Sequence, residues 1–159
     1  MSAISQSQIL AGKAIACFVT TVGVCFFMVI VAVLVFKVEP TSYPLLALSI
    51  VSVAAGFVGI LMLLSVLGRT ERSAAGIGWA IMTVMAMIGG GMVPSFIMPP
   101  WMQSLGAISP VYWAINALEG PIWRGAAVSG VLFPCGVLLA IGVVCFTLGA
   151  AVFSVAEKR

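Results

Sequence analysis

Four cysteines, four carboxylates and seven basic side chains are the main candidates for chemistry in this 159-residue chain, and histidine is absent. Without histidine there is no Ser/His/Asp or Cys/His arrangement for nucleophilic attack, and neither the commonest metal ligand nor the usual proton shuttle. Cys17, Cys25, Cys135 and Cys145 all fall inside apolar runs at no metal-ligand spacing. Cysteines so placed behave as small buried hydrophobes rather than as a disulfide framework. Gly12-Lys13 is not a P-loop, because Ser7 stands where the first glycine is needed and Ala14 follows the lysine. Gly76-Ile77-Gly78 lies inside an apolar helix with Ile81 where a dinucleotide fingerprint needs glycine, so it reads as helix packing. Neither catalysis nor a bound cofactor or metal is expected.

Composition explains why so little chemistry is available. Hydrophobic residues make up 63% of the chain and charged residues 7%, where a soluble domain carries roughly 45–50% and about 25%. The mean hydropathy is +1.29. Eleven charges cannot cover the surface of a 16.5 kDa soluble protein, so a water-soluble enzyme and a disordered tail are excluded. The net charge of +3 is spread between apolar runs, with no basic block suited to a nucleic-acid backbone. The solvent for this chain is a lipid bilayer.

The elements that must position any functional group are therefore membrane helices. Charge-free runs cover residues 14–36, 40–68, 73–118 and 125–156, and each exceeds the roughly 20 residues that cross a hydrocarbon core. Spans are expected over about 14–36, 44–67, 74–93 and 132–155. The run 73–118, as one helix, would be about 69 Å long, more than twice the core thickness. Gly89, Gly90 and Gly91, then Pro94, Pro99 and Pro100, break it. The segment beyond the glycines, residues 94–125, is apolar but carries breakers and the polar groups Gln103, Ser104, Ser109 and Asn116.

The positive-inside rule decides what that segment is. Four spans with both termini cytoplasmic place Lys13, Arg69, Arg72, Lys158 and Arg159 inside and Lys37 and Arg124 outside, 5 against 2. A fifth span would reduce this to 4 against 3. Trp101, Tyr112, Trp113 and Trp123 cluster in the same segment, and such rings prefer the headgroup level. The expected fold is an all-α integral membrane protein with four transmembrane helices and an outer re-entrant or interfacial helical hairpin over 94–125. Residues 1–13 precede this membrane domain, and residues 3–12 suit a short helix at the inner surface.

Several features admit two readings. Glu119 either closes an outer gate or contacts a substrate, or it faces outside water near Arg124 and anchors the hairpin. Arg69-Thr70-Glu71-Arg72 either docks a cytoplasmic partner or is a short charged loop that fixes topology. Ser52 with Gly56, Ala55 with Gly59, and Gly76 with Ala80 stand four apart, while Gly142 and Gly149 share a face. Such spacing lets helix backbones approach closely, within the chain or across a dimer. Met82, Met85, Met87, Met92, Met98 and Met102 either line a path for a loosely defined hydrophobic substrate or face lipid. No span carries a carboxylate, which disfavours a self-contained proton-coupled transporter.

The stretches Ile88-Gly89-Gly90-Gly91-Met92-Val93-Pro94, Met98-Pro99-Pro100-Trp101-Met102 and Ile108-Ser109-Pro110-Val111-Tyr112-Trp113-Ala114 resemble the outer hairpin of type-2 ATP-binding-cassette (ABC) exporter permeases. Gln8-Ile9-Leu10-Ala11-Gly12-Lys13 is similar to the segment that ends the family's cytoplasmic coupling helix and opens its third span. The resemblance implies an ATP-driven exporter of a hydrophobic or amphipathic compound in a prokaryotic cell membrane. Its partners would be a separate ATPase subunit and a second permease copy. The outer gate would use Pro94, Pro99, Trp101, Pro110, Tyr112, Trp113 and Glu119. The ATPase would be met by the segment about Ser2–Gly12, with Gln8, Gly12, Lys13, Arg69 and Arg72 as contacts. Family members usually add two N-terminal spans and an outer domain, so the chain looks like the C-terminal part of a permease, with those spans on another chain. The rival is a truncated remnant serving as a non-transporting membrane interaction protein.

Overall fold

The computed structural model describes residues 6–68, 70–93 and 97–157, and the described residues form helices without strands. Chain order gives α1 (Gln6–Phe36), α2 (Tyr43–Leu67), α3 (Glu71–Ile88), α4 (Pro100–Gly106), α5 (Pro110–Glu119), a π-helical turn (Gly120–Arg124) and α6 (Val128–Glu157). Three of them hold segments long and apolar enough to cross a membrane: Ala11–Phe36, Tyr43–Val66 and Val128–Val152. The chain is thus an all-α, multi-pass membrane protein.

The bundle is organised by a seam between α2 and α6 where glycine removes the side chains that would hold two backbones apart. A Cβ added at Gly59 would lie 2.0 Å from the Gly142 carbonyl oxygen, and one at Gly142 would lie 2.8 Å from the Gly56 Cα. Gly149 meets the Leu63 backbone in the same way at 3.1 Å. Lipid tails give apolar helices no hydrophobic reason to associate, so close backbone packing of this kind supplies the attraction. The small-residue spacing of α2 and α6 is therefore spent within the chain. Gly76 of α3, by contrast, has nothing within 4 Å of its would-be Cβ.

Helix boundaries follow local chemistry. Ser42 precedes α2 with extended backbone and Pro44 sits in its first turn, where the missing N–H costs nothing. Thr70 caps α3, its Oγ1 accepting from the Ser73 N–H at 3.2 Å. The third span, expected over 74–93, stops five residues early. Gly90 adopts φ +92° and the Gly91 N–H donates to the Ala86 carbonyl at 2.8 Å, the bonding of a Schellman termination. The first glycine run, not the prolines beyond it, ends the helix, leaving Arg72–Ile88 as a shorter apolar stretch. At the other boundaries, α6 begins at Val128 rather than 132, and α1 runs unbroken from Gln6 through Lys13.

Attachment to the seam is uneven. A core of Val53, Ala114, Ala117, Val131, Cys135 and Leu138 joins α5 to α2 and α6. The membrane-length segment of α1 is without buried residues, and Val19, Phe27, Leu34 and Phe36 are all more than 60% exposed. Its C-terminal turns, through Val29, Ala32 and Val33, line a small gap shared with Leu46 and Ile122.

Candidate functional site

The segment singled out by its prolines and aromatics folds as two short helices joined by a tight turn. Pro99 is the N-cap of α4, and Gln103 of that helix reaches back to donate from Nε2 to the Met98 carbonyl at 3.0 Å. Trp101, on the same helix, is 66% exposed. Pro110 occupies the first turn of α5, whose N-cap is Ser109. Ser109 is buried and does two things at once. Its Oγ accepts from the Val111 N–H at 3.2 Å and donates to the Met85 carbonyl of α3 at 2.7 Å. Gly89 makes that approach possible, since a Cβ there would stand 2.7 Å from Ser109 Oγ and 2.9 Å from the Tyr112 nitrogen. Pro94 lies outside the described residues.

Tyr112 and Trp113 fix the hairpin from the other side. The Trp113 indole N–H donates to the Ala107 carbonyl at 2.8 Å, closing the α4–α5 turn. Its ring meets Tyr112 edge-on at 5.3 Å and Phe133 of α6 at 5.5 Å, a geometry that aromatic quadrupoles favour. Deeper along α5, the buried Ser49 hydroxyl of α2 stands 2.9 Å from the Leu45 carbonyl and 2.7 Å from the Ala117 carbonyl of α5. Cys135 of α6 completes this junction, its Sγ 3.9 Å from Ser49 Oγ. Three helices thus meet on one fully buried hydroxyl, which makes the contact specific as well as cohesive.

Glu119 ends α5 and pairs with Arg124 across the π turn, Oε2 to Nη2 at 2.5 Å. That Oε2 is fully buried, while the arginine side chain is 46% exposed. Arg124 also donates to Asn116 Oδ1 at 3.2 Å, and Asn116 Nδ2 donates to the Tyr112 carbonyl at 2.9 Å. The π turn itself is bound to the α1–α2 loop, where the Thr41 N–H donates to the Pro121 carbonyl at 2.9 Å. Gly125 at φ +56° then reverses the chain into α6.

The second group of expected site residues lies at the opposite end of α2. Lys13 of α1 shares a cleft with Gly68, Thr70 and Trp79, which brings it to the loop between α2 and α3. Gln8, Gly12 and Arg72 are exposed on the same end of the bundle. Arg69 lies outside the described residues. Among the described residues no group of three or more His, Cys, Asp or Glu side chains is placed to hold a metal ion. At both ends the described side chains position helices against one another.

Comparison with known proteins decides the family. A family model described as ABC-2 type transporter matches residues 1–123. The chain belongs to that family. It is also similar to the linearmycin resistance permease protein LnrN of Bacillus subtilis (strain 168), 33% identical over 92 residues, covering 58% of this chain. The chain spans about a quarter, 24%, of that relative's length. No solved structure matches it.

In this ABC-2 chain, sequence reasoning found the prolines and aromatics of the hairpin but missed the groups that seat it. Ser49 and Ala117 carry no signal of their own, being a small polar residue and an alanine inside apolar helices. Ser109 was visible as a polar interruption, and only the Ser-Pro pair hinted that it caps a helix.

Proposed function

We propose that this chain forms the transmembrane permease part of an ABC exporter, moving a hydrophobic or amphipathic compound outward at the expense of ATP hydrolysed by a separate subunit. The observation that carries this reading is the seat of α5. It is locked to α2, α3 and α6 at one end of the bundle by buried hydroxyls, Ser49 and Ser109. Ser49 lies about 9 Å along α2 from its start, so the seat of α5 is within the bundle. That supports reading 94–125 as a re-entrant or interfacial outer hairpin, with Pro99, Trp101, Pro110, Tyr112, Trp113 and Glu119 as its framework. Pro94 belongs to the same gate by its place in the motif.

In this reading α3 also crosses the membrane, which brings the three membrane-length helices to four crossings. Its 18 residues are about 27 Å long, close to the hydrocarbon core. Its start lies by Gly68 at the end of α2, and its end is bonded through Ser109 to the helix that packs on the beginning of α2. Both chain ends then share a side with the α2–α3 loop, because Lys13 lines the cleft at Gly68 and Gly149 packs beside Leu63. Five basic residues against two make that side cytoplasmic in a prokaryotic cell membrane. The ATPase subunit docks there, against the N-terminal segment and the 69–72 loop, with Gln8, Gly12 and Arg72 as contacts and Arg69 assigned by its place in the sequence of that loop. A second permease copy completes the substrate path. The Bacillus relative is a linearmycin resistance permease, and resistance through a permease supports outward movement of a compound.

Co-expression with the ATPase encoded beside it tests the reading. The expected result is a stable complex whose ATPase activity responds to lipophilic compounds and whose cells accumulate less of them. A chain that co-purifies with no ATPase and leaves accumulation unchanged in the complete assembly would leave only the non-transporting membrane protein.

A further inference from the structure

The cleft at the α2–α3 loop end has walls of two kinds. It encloses about 490 Å³, within the roughly 300–1,000 Å³ of ligand clefts. Its upper wall is polar, with Lys13 from α1 and Thr70 from the cap of α3; its lower wall is apolar, with Leu61, Leu64, Gly78 and Trp79. Thr70 Oγ1 already accepts from the Ser73 N–H, which leaves its hydroxyl hydrogen to donate. Among the described residues, the lining holds one cation and no carboxylate. Leu61 stands seven residues from Gly68 and Trp79 nine from Thr70, so the cleft runs about 10–13 Å down the helices from their ends. That depth takes it from the headgroup layer into the acyl region. Trp79 is 74% exposed, which leaves its ring open to lipid along the lower wall.

From this we infer that the cleft is a binding site for one anionic phospholipid of the inner leaflet. Its phosphate is held by Lys13 and the Thr70 hydroxyl, and the upper part of one acyl chain lies along Leu61, Leu64 and Trp79. Charge complementarity and the polar-to-apolar gradient select this occupant. Basic pockets between helices at the cytoplasmic face are where anionic headgroups bind. Lys13 is thereby assigned to lipid and not to the ATPase, leaving the more peripheral Gln8 and Arg72 for that contact. A lipid wedged between α1, α2 and α3 would also bridge α1, otherwise thinly attached, to the rest of the bundle. The leaflet assignment rests on the topology proposed above; the site itself does not.

Native mass spectrometry of the full chain released from nanodiscs of equal phosphatidylglycerol and phosphatidylcholine tests it. One phosphatidylglycerol per chain is expected, retained at least 10-fold over phosphatidylcholine. Lys13→Gln and the cleft-filling Ala75→Phe should each cut that retention at least 10-fold, whereas Lys37→Gln, at the other end, should not. Equal retention of the two lipids, unchanged retention in Lys13→Gln, or displacement of the lipid by millimolar inorganic phosphate would overturn the site. Folding of the variants is checked by circular dichroism, and Lys13→Arg should restore retention. Separately, Ser73→Cys in a background with the four native cysteines replaced by alanine should resist a membrane-impermeant maleimide in whole cells. Labelling there would overturn the leaflet assignment while leaving the nanodisc result to stand or fall alone.

Discussion

The two ends of α2 are built on opposite plans. At its N-terminal end, α5 is wedged between α2, α3 and α6, and side chains are bonded to backbones across helices at Ser49, Ser109 and Trp113. At its C-terminal end, the same helix helps form an open cleft, and α1 leans against the bundle with most of its surface bare. The first end is fixed by directional contacts that tolerate one geometry. The second end is built around that open cleft, with Lys13 of α1 facing Thr70 and Trp79 across it. Under the proposed function, a receiving end around an open cleft and a latched end at the opposite face would divide the work of force and gating.

The glycine seam is what both ends share, and breaking it should abolish the contrast. In Gly59→Ala the new Cβ would fall 2.0 Å from the Gly142 carbonyl oxygen, a clash with backbone that no rotamer relieves. A loss of about 3 kcal/mol is expected, read as the denaturation midpoint in mixed micelles. Unchanged stability would mean that α2 and α6 are not in backbone contact.

Gly89→Ala tests the latched end. Its Cβ would meet Ser109 Oγ at 2.7 Å and the Met85 carbonyl at 2.8 Å, so α5 must shift away from α3. The expected cost is about 2 kcal/mol, with increased protease access to the 94–125 segment. Ser49→Ala removes a hydroxyl shared by two carbonyls. Interhelical hydrogen bonds in membranes average only about 0.6 kcal/mol, with a maximum near 1.7, and this buried one should sit toward the top of that range, at about 1 kcal/mol. A change below 0.3 kcal/mol, in either direction, would show the junction to be packing alone.

How much of this contrast was legible beforehand depended on the kind of signal. Uninterrupted hydrophobicity placed α2 within a residue of its observed start, because a span is set by length and composition. The glycine triplet announced the break that ends α3, since it permits a left-handed backbone conformation locally. Three things were not legible. The exact stop at Ile88 depends on which of three glycines takes the left-handed position. The choice of α6 as the partner of α2 depends on three-dimensional register, so the glycine spacing left packing within the chain and dimerisation equally open. The role of Ser49 depends on the Ala117 carbonyl, 68 residues away, and nothing local marks it.

Glu119→Gln refines the latched end further. The ion pair joins a carboxylate to an arginine that is nearly half exposed, and such pairs contribute about 0.2–1 kcal/mol. Stability should fall by about 0.5 kcal/mol in the same assay. A transport defect much larger than this loss of stability would assign Glu119 to the gate itself; proportionate effects would make it an anchor of the hairpin.

The smallest effect should also have the opposite sign, which makes it the sharpest discriminator. Gly76 sits in the middle of α3 near the cleft end, with nothing within 4 Å of its missing side chain. Glycine inside a helix is unfavourable relative to alanine because its unfolded backbone has more freedom to lose. Gly76→Ala should therefore stabilise the chain by about 0.5 kcal/mol, while Gly89→Ala, the same chemical change at the far end of the same helix, destabilises it. If the isolated chain gains stability but the complex with its ATPase or second permease copy assembles less well, the open face at Gly76 is filled in the assembly. A loss in the isolated chain would instead mean that α3 packs more tightly at this end than its bare surface indicates, and the contrast between the two ends would fail.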